Sequence, residues 1–468
     1  MHYISTRGEA PELPFDEVLL AGLARDGGLY VPADFPRVEA ATLEGWRDLP
    51  YAELAVRVMT PFLDGSIGAA DFARLVHEAY ASFDDPRVAP LRKFDGNGWL
   101  LELFHGPTLA FKDYALQLLG RLFDHVLKAR GSRLTVLGAT SGDTGSAAIE
   151  ACRGRDAIDV VILHPKGRVS EVQRRQMTTV LAANVHNLAI EGTFDDCQDL
   201  VKAMFQDVAF RDRLNLSSAN SINWVRILAQ TVYYFSAALA LGAPKQGIAF
   251  AVPTGNFGNV YAGYVAKRMG LPITRLIIGT NRNDVLTRLF TEGEMRIAAV
   301  APSLSPAMDI QIPSNFERLL FDLYDRDASR VRAAMAAFRR EGRLKLEKAM
   351  LDRASETFSA VRISDQATLR TIAKIHEESG LLIDPHTAVA VAAARRMAPE
   401  AGVPIVALAS AHPAKFPDAV EQATGLRPEL PPRLSDLFER EERMAILPND
   451  LGKVEAHIQA RVSSRGIA

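Results

Sequence analysis

From about Leu100 onward the chain alternates between short apolar runs and longer segments with helical periodicity. The runs Leu134–Leu137, Val160–Leu163, Asn187–Ile190, Ile248–Val252, Leu276–Ile278 and Ile405–Leu408 each have this placing, and several are free of polar residues. Strands covered on both faces need such runs, so the alternation predicts an α/β fold with parallel-rich sheets. The first 90 residues differ. There, helical patterns over Pro14–Gly27 and Asp71–Phe83 are separated by Pro-containing connections, which predicts a mostly helical N-terminal domain over residues 1–90. Residues 326–376, rich in Arg, Lys, Glu and Ala, are expected to form solvated helices, and the chain after about Gly425 becomes more polar.

Composition adds mainly exclusions. With 48% hydrophobic and 24% charged residues among 468, the chain can bury a sizeable core. Its 54 basic and 56 acidic residues leave a formal charge of -2 without a block of either sign, so neither nucleic acid nor an anionic membrane is an expected partner. No segment offers about 18 uninterrupted apolar residues, and the start lacks a charged stretch leading into an apolar run, so a cytoplasmic protein is expected. Cys152 and Cys197 have no CxxC or paired Cys/His spacing, which argues against a disulfide framework or a metal site.

The chemistry lies in one lysine and three loops. Lys112 sits in HGPTLAFKDYA, His105–Ala115, among apolar neighbours. Loss of solvation lowers the pKa of such an amine and makes it a nucleophile toward an aldehyde, the chemistry of a Schiff base; paired with Asp113, the same residue could equally be an ordinary surface lysine. The loop GATSGDTGSAA, Gly138–Ala148, offers the hydroxyls of Thr140, Ser141 and Thr144 at a helix start, either an anion pocket for carboxylate or phosphate or a plain capped turn. PTGNFGNVYAG, Pro253–Gly263, is the better phosphate cradle, since Gly255 and Gly258 permit close backbone approach and Asn256 and Asn259 tolerate left-handed turns. The third loop, Ala407–Val420, offers Ser410, His412 and Lys415, with Ser410 placed to point a hydroxyl at a ring nitrogen. A nucleophilic lysine, a phosphate cradle, a carboxylate pocket and a strand-end hydroxyl together suit an enzyme that holds pyridoxal 5′-phosphate and an amino acid.

These motifs resemble the fold type II pyridoxal-phosphate enzymes, and more closely the bacterial and fungal threonine synthases. The resemblance runs through Y-x-S-T-R-G (Tyr3–Gly8), HGPTLAFKD, GATSGDTGSAA, NSINWVRILAQ (Asn220–Gln230), PTGNFGN, MDIQIPSNFERL (Met308–Leu319), DPHTAV (Asp384–Val389) and SAHPAKF (Ser410–Phe416). It implies a two-lobed α/β catalytic region over 91–425, with the smaller lobe at about 130–240, and a C-terminal extension over 426–468. It also implies that Lys112 carries the cofactor and later moves protons, with Phe111, Asp143, Gly255, Asn256, Phe257, Gly258, Asn259 and Ser410 as further cofactor contacts. Thr140, Ser141, Gly142, Asp143, Thr144 and Asn256 would face the substrate, and Asn220, Ser221 and Arg226 would hold its phosphate. An anionic Asp143 would repel a substrate carboxylate, so its side chain is expected to point elsewhere.

The implied reaction converts O-phospho-L-homoserine and water to L-threonine and phosphate, the last step of threonine biosynthesis, in a monomeric enzyme. A related dehydratase or phospholyase would share Lys112, the glycine loop and Ser410 without needing Asn220–Arg226. A cofactor-free binding module keeping the same fold is the alternative of another class.

Overall fold

Apolar runs that must be covered on both faces become the interior strands of two parallel sheets. In chain order the strands are β1 (Tyr3–Ser5), β2 (Tyr30–Pro32), β3 (Leu91–Asp95), β4 (Gly98–Glu102), β5 (Leu134–Ala139), β6 (Ile158–Pro165), β7 (Val185–Glu191) and β8 (Leu216–Ser217). They continue with β9 (Ile248–Pro253), β10 (Ile273–Thr280), β11 (Glu294–Arg296), β12 (Arg343–Lys345), β13 (Phe358–Arg362), β14 (Ile405–Ala409) and β15 (Ala445–Pro448). This computed structural model describes residues 1–397 and 402–462; positions 463–468 of the expected C-terminal extension lie outside the described residues.

A six-stranded sheet has the order β13-β10-β9-β14-β4-β3 and is parallel except for β3. A five-stranded sheet, β15-β7-β6-β5-β8, is parallel throughout. β6 and β14 are buried along their whole length and β9 along nearly all of it, which explains the unbroken apolar sequences of β9 and β14 and the apolar run Val160–Leu163 within β6. The stretch 326–376 departs from the expectation of helices alone. It forms the helices Ala328–Glu341, Lys348–Ser355 and Asp365–Ser379, but also β12 and the sheet-edge strand β13. In β13 Phe358 and Ala360 are buried while Ser359 and Val361 are half-exposed, a period of two that surrounding charged helices mask in the sequence.

The first 80 residues fold into β1, β2 and the helices Phe15–Ala21, Ala40–Gly45, Tyr51–Met59 and Ala69–Tyr80. Their core is continuous with the rest: the rings of Tyr3 and Phe62 each lie 6.0 Å from buried Trp224. Truncating a fully buried Trp costs about 3–5 kcal/mol, so this one contact decides much of the local stability. Arg7 adds a two-pronged bond to Glu317, Nε to Oε1 at 3.0 Å and Nη2 to Oε2 at 2.9 Å, tying the amino-terminal STRG segment to the helix Phe316–Leu323.

Sheet order positions the site. β4, β14 and β9 are adjacent and parallel, so their carboxyl ends open on one edge. Those ends lead to Lys112, Ser410 and Gly255. The chain continues from β9 to β10 on one side while β14 and β4 lie on the other, and open sheets leave a ligand crevice at such a reversal. From the second sheet, β5 ends at the Thr140–Asp143 loop. The long buried helices Lys112–Ala129 and Trp224–Ala240 pack against each other beneath these loops.

Candidate active site

Lys112 is the first residue of its helix, held against the end of β14 by backbone bonds. Phe111 N donates to the Ser410 carbonyl at 2.9 Å and His412 N to the Leu109 carbonyl at 3.0 Å. The sequence separation of Lys112 and Ser410 is therefore closed by a short bridge between Ala110 and Ala411. Behind it, Asp113 accepts Thr108 N at 2.7 Å and Thr108 Oγ1 at 2.8 Å, closing the HGPT turn; burial pushes its carboxyl up to about 7.

The lysine is buried, 9% exposed, with Nζ 5.4 Å from the Phe111 ring centroid and 3.4 Å from Asp143 Oδ2. Burial lowers its pKa, and the like charges of Lys415 and Arg226 push the same way against the attraction of Asp143. The Asp143 carboxylate is turned toward Lys415, Gln173 and Lys112. Its Oδ1 meets Lys415 Nζ at 2.9 Å and Gln173 Nε2 at 2.8 Å. Burial alone would raise its pKa, but the two lysines and the Gln173 bond outweigh burial and hold the carboxyl well below the usual range.

The loop around Asp143 is shaped by Thr140, whose Oγ1 accepts Gly142 N at 3.0 Å and Gly145 N at 2.9 Å. The oxygen of that hydroxyl is used within the loop, while Ser141 is exposed and Thr144 half-buried at the helix start. Gly142 has φ of +146°, and a Cβ there would fall 2.4 Å from the Gln173 side chain. Glycine is thus required both for its backbone and for the Gln173–Asp143 bond.

The loop after β9 is built differently. Phe257 adopts φ of +64° immediately before the helix Gly258–Arg268, and its ring packs on Phe290 and Phe316. Packing holds the left-handed residue in place. The backbone N–H groups from Gly255 to Asn259 have no acceptor among the described residues, whereas Thr254 N is bonded to the Gly279 carbonyl. A Cβ on Gly255 would lie 2.9 Å from the Ala307 carbonyl oxygen. The Asn259 side chain is fixed by Tyr233, whose hydroxyl lies 2.6 Å from Oδ1, and by Tyr234 at 3.0 Å, leaving Nδ2 unpartnered among the described residues.

Arg226, 2% exposed on the Trp224–Ala240 helix, donates through Nη1 to the Ala219 carbonyl at 3.1 Å. Its Nε has no partner among the described residues and no carboxylate faces it, so burial pushes its pKa down to about 10. Ser221 is half-buried and Asn220 exposed, their side chains 3.3 Å apart. Asn315 Nδ2 links this segment to the glycine loop, donating to the carbonyls of Ser221 and Asn256, each at 3.2 Å. Asn315, Gln173 and the tie made by Lys415 are contributions that sequence reasoning missed; Asn315 and Lys415 stood inside motifs already noticed, but Gln173 carries no local signal.

Family models match three parts of the chain: threonine synthase N terminus over residues 2–80, pyridoxal-phosphate dependent enzyme over 86–410, and threonine synthase C-terminal over 387–458. A threonine synthase of Pseudomonas aeruginosa is 57% identical over 459 residues, covering 98% of each chain.

The chain belongs to the threonine synthase family.

Its fold is that of the fold type II pyridoxal-phosphate enzymes, its cofactor is pyridoxal 5′-phosphate, and its activity is that of a threonine-forming lyase. The Saccharomyces cerevisiae threonine synthase is 43% identical over 455 residues, covering 90% of this chain and 88% of that one. Among solved structures, a pyridoxal-phosphate-bound threonine synthase of Brucella melitensis superposes with a TM-score of 0.97 at 54% identity, and the yeast enzyme with 0.94 at 40%, each covering 99% of both chains. The residues present fit the cofactor: a buried amine of lowered pKa, a run of unused N–H groups at a helix start, and a Ser410 hydroxyl without a hydrogen bond among the described residues.

Proposed function

We propose that the enzyme converts O-phospho-L-homoserine and water to L-threonine and phosphate, with the residues of this cleft in the following roles. The observation that carries the substrate is Arg226, a buried guanidinium without a carboxylate partner whose charge is felt at Lys112. A buried cation without a counterion is costly unless an anion arrives with the ligand. A phosphorylated substrate supplies one, and a guanidinium can hold it through two parallel bonds; Asn220 and Ser221 flank it.

Pyridoxal phosphate, when bound, supplies a conjugated ring that accepts the electron pair left as a proton departs from the substrate carbon. The chain does the rest. Lys112 Nζ, kept in a lowered pKa range, takes and returns protons at successive carbons. N–H groups of Gly255 to Asn259 hold the cofactor phosphate, Phe111 lies against the ring, and Asn256 borders the substrate. Ser410 offers the ring nitrogen a hydroxyl, not a carboxylate. Ser141 and Thr144 bind the substrate carboxylate, with Gly142 bordering it and Thr140 shaping the loop, and closure of that loop excludes water until the addition step. The division into a domain over 1–90, a two-lobed region over 91–425 and an extension over 426–468, and action as a cytoplasmic monomer without nucleic acid, belong to the same proposal. Among the described residues no helix is long and apolar enough to cross a membrane.

The test offers phosphohomoserine, phosphoethanolamine and threonine to the purified enzyme. Equal release of threonine and phosphate from phosphohomoserine alone is expected. Consumption of threonine to a keto acid, with phosphohomoserine untouched, would contradict the proposal and favour a dehydratase.

A further inference from the structure

We propose that Lys415 is a positioning residue for this reaction: it draws the Asp143 carboxylate away from Lys112 and so leaves the Lys112 amine free to lose its proton. The inference rests on Lys112 being the cofactor-bearing lysine.

Lys415 is fully buried. Its Nζ lies 2.6 Å from the Thr108 carbonyl, 2.9 Å from Gln176 Oε1 and 2.9 Å from Asp143 Oδ1. An ammonium has three N–H donors, and these acceptors use all of them, so Lys415 has none left for a substrate or cofactor. What it contacts of the machinery is Asp143. On that carboxylate the close bonds, from Lys415 and from Gln173 at 2.8 Å, both fall on Oδ1, while Lys112 stands 3.4 Å from Oδ2. Charge-assisted bonds of full strength are shorter than the latter, about 2.7–2.9 Å. Asp143 is thus bound to the lysine that does no chemistry and only loosely to the one that does.

The charges agree in sign. Facing Lys112 are Asp143, Lys415 and Arg226, and Asp113 also feels Lys415. With Lys112 protonated, the trio of Lys112, Asp143 and Lys415 carries one excess positive charge; proton loss removes it. Without Lys415, the remaining Lys112–Asp143 pair would be neutral only while Lys112 keeps its proton, and a buried pair resists losing either charge. The same bonds join segments from both sheets, since Lys415 follows β14 whereas Asp143 and Gln176 lie on helices beside the five-stranded sheet.

The test uses the full-length protein freed of cofactor, with free pyridoxal as the probe, trapped by cyanoborohydride and located by peptide mass as pH is varied. In the wild type, trapping at Lys112 is expected; trapping elsewhere only would remove Lys112 from its assigned role, and this proposal with it. Lys415→Met should raise the midpoint of Lys112 trapping by about one pH unit or more, roughly tenfold slower trapping at pH 7, while Lys415→Arg stays within about twofold of the wild type. Trapping of Lys112 in Lys415→Met with an unchanged or lowered midpoint would overturn the proposal and leave the role of Lys112 intact, since loss of packing alone lowers Tm without moving the midpoint. Should Lys415→Met not fold, Asp143→Asn tests the same balance: the midpoint must fall, and an unchanged or higher value would contradict the proposal.

Discussion

The two glycine loops at the carboxyl ends of β5 and β9 look alike in sequence and differ in how far they use their own hydrogen bonds. After β5, Thr140 Oγ1 takes the N–H groups of Gly142 and Gly145, and Asp143 binds Lys415 and Gln173. After β9, the N–H groups from Gly255 to Asn259 find no acceptor among the described residues. The first loop turns two of its N–H groups onto Thr140, while those of Ser141, Asp143 and Thr144 find no acceptor among the described residues. The second leaves its whole run of N–H groups open at a helix start, where an anion is favoured. Glycine and hydroxyl content announce a turn at a helix start in both cases; how many N–H groups a side chain within the loop can reach decides how many are left for a ligand.

Substitutions can break this contrast. The largest effect is expected at the residue both loops serve: Lys112→Ala should abolish the near-visible absorbance of the cofactor-loaded enzyme and lower phosphate release by about 10³-fold or more. Next, Gly255→Ala would press a methyl against the Ala307 carbonyl, 2.9 Å away, and should weaken cofactor affinity by more than about tenfold in an equilibrium titration. Its counterpart Gly142→Ala displaces Gln173 from Asp143 instead. It should lower kcat/KM about tenfold while cofactor affinity changes by less than about threefold. Equal effects of the two changes on cofactor affinity would erase the contrast.

The smallest effect concerns the third loop. Burial, with His105 adding to it, pushes the His412 pKa down to about 4, and its Nδ1 accepts Ala414 N at 3.2 Å, which requires the neutral ring. The unfolded chain protonates this residue near pH 6.5, so stability is lost as pH falls from there toward about 4, by up to roughly 3 kcal/mol. His412→Asn can still accept from Ala414 N and should flatten that part of the stability curve, measured by urea unfolding between pH 7 and 4.

Much of the fold and part of the site are legible in the order of amino acids alone. Strands such as Ile248–Val252 and Ile405–Leu408 stand out because burial on both faces leaves no room for polar residues, and the loops that follow them inherit their position at the sheet edge. β13 does not, because an edge strand needs only every second residue apolar and FSAVR is embedded in charged helices. Lys112, Ser410 and the glycine loop are legible as chemistry carried on local motifs. The partners of Lys415 are not: Thr108, Asp143 and Gln176 come from three separate segments, and only folding brings them to one ammonium. Thr140 shows the converse, a hydroxyl whose oxygen also shapes its own loop by accepting two of its N–H groups, which no local motif announces.

The most direct measurement is Arg226→Met in the cofactor-loaded enzyme, following phosphate release from phosphohomoserine together with cofactor absorbance and unfolding free energy. Turnover is expected to fall more than about 100-fold in kcat/KM, the loss of a charged anchor on the leaving phosphate, while the absorbance stays and stability holds or rises because a buried cation without a carboxylate has been removed. Phosphohomoserine turnover within about threefold of the wild type, or loss of the cofactor signal along with activity, would contradict a second anion site at Arg226.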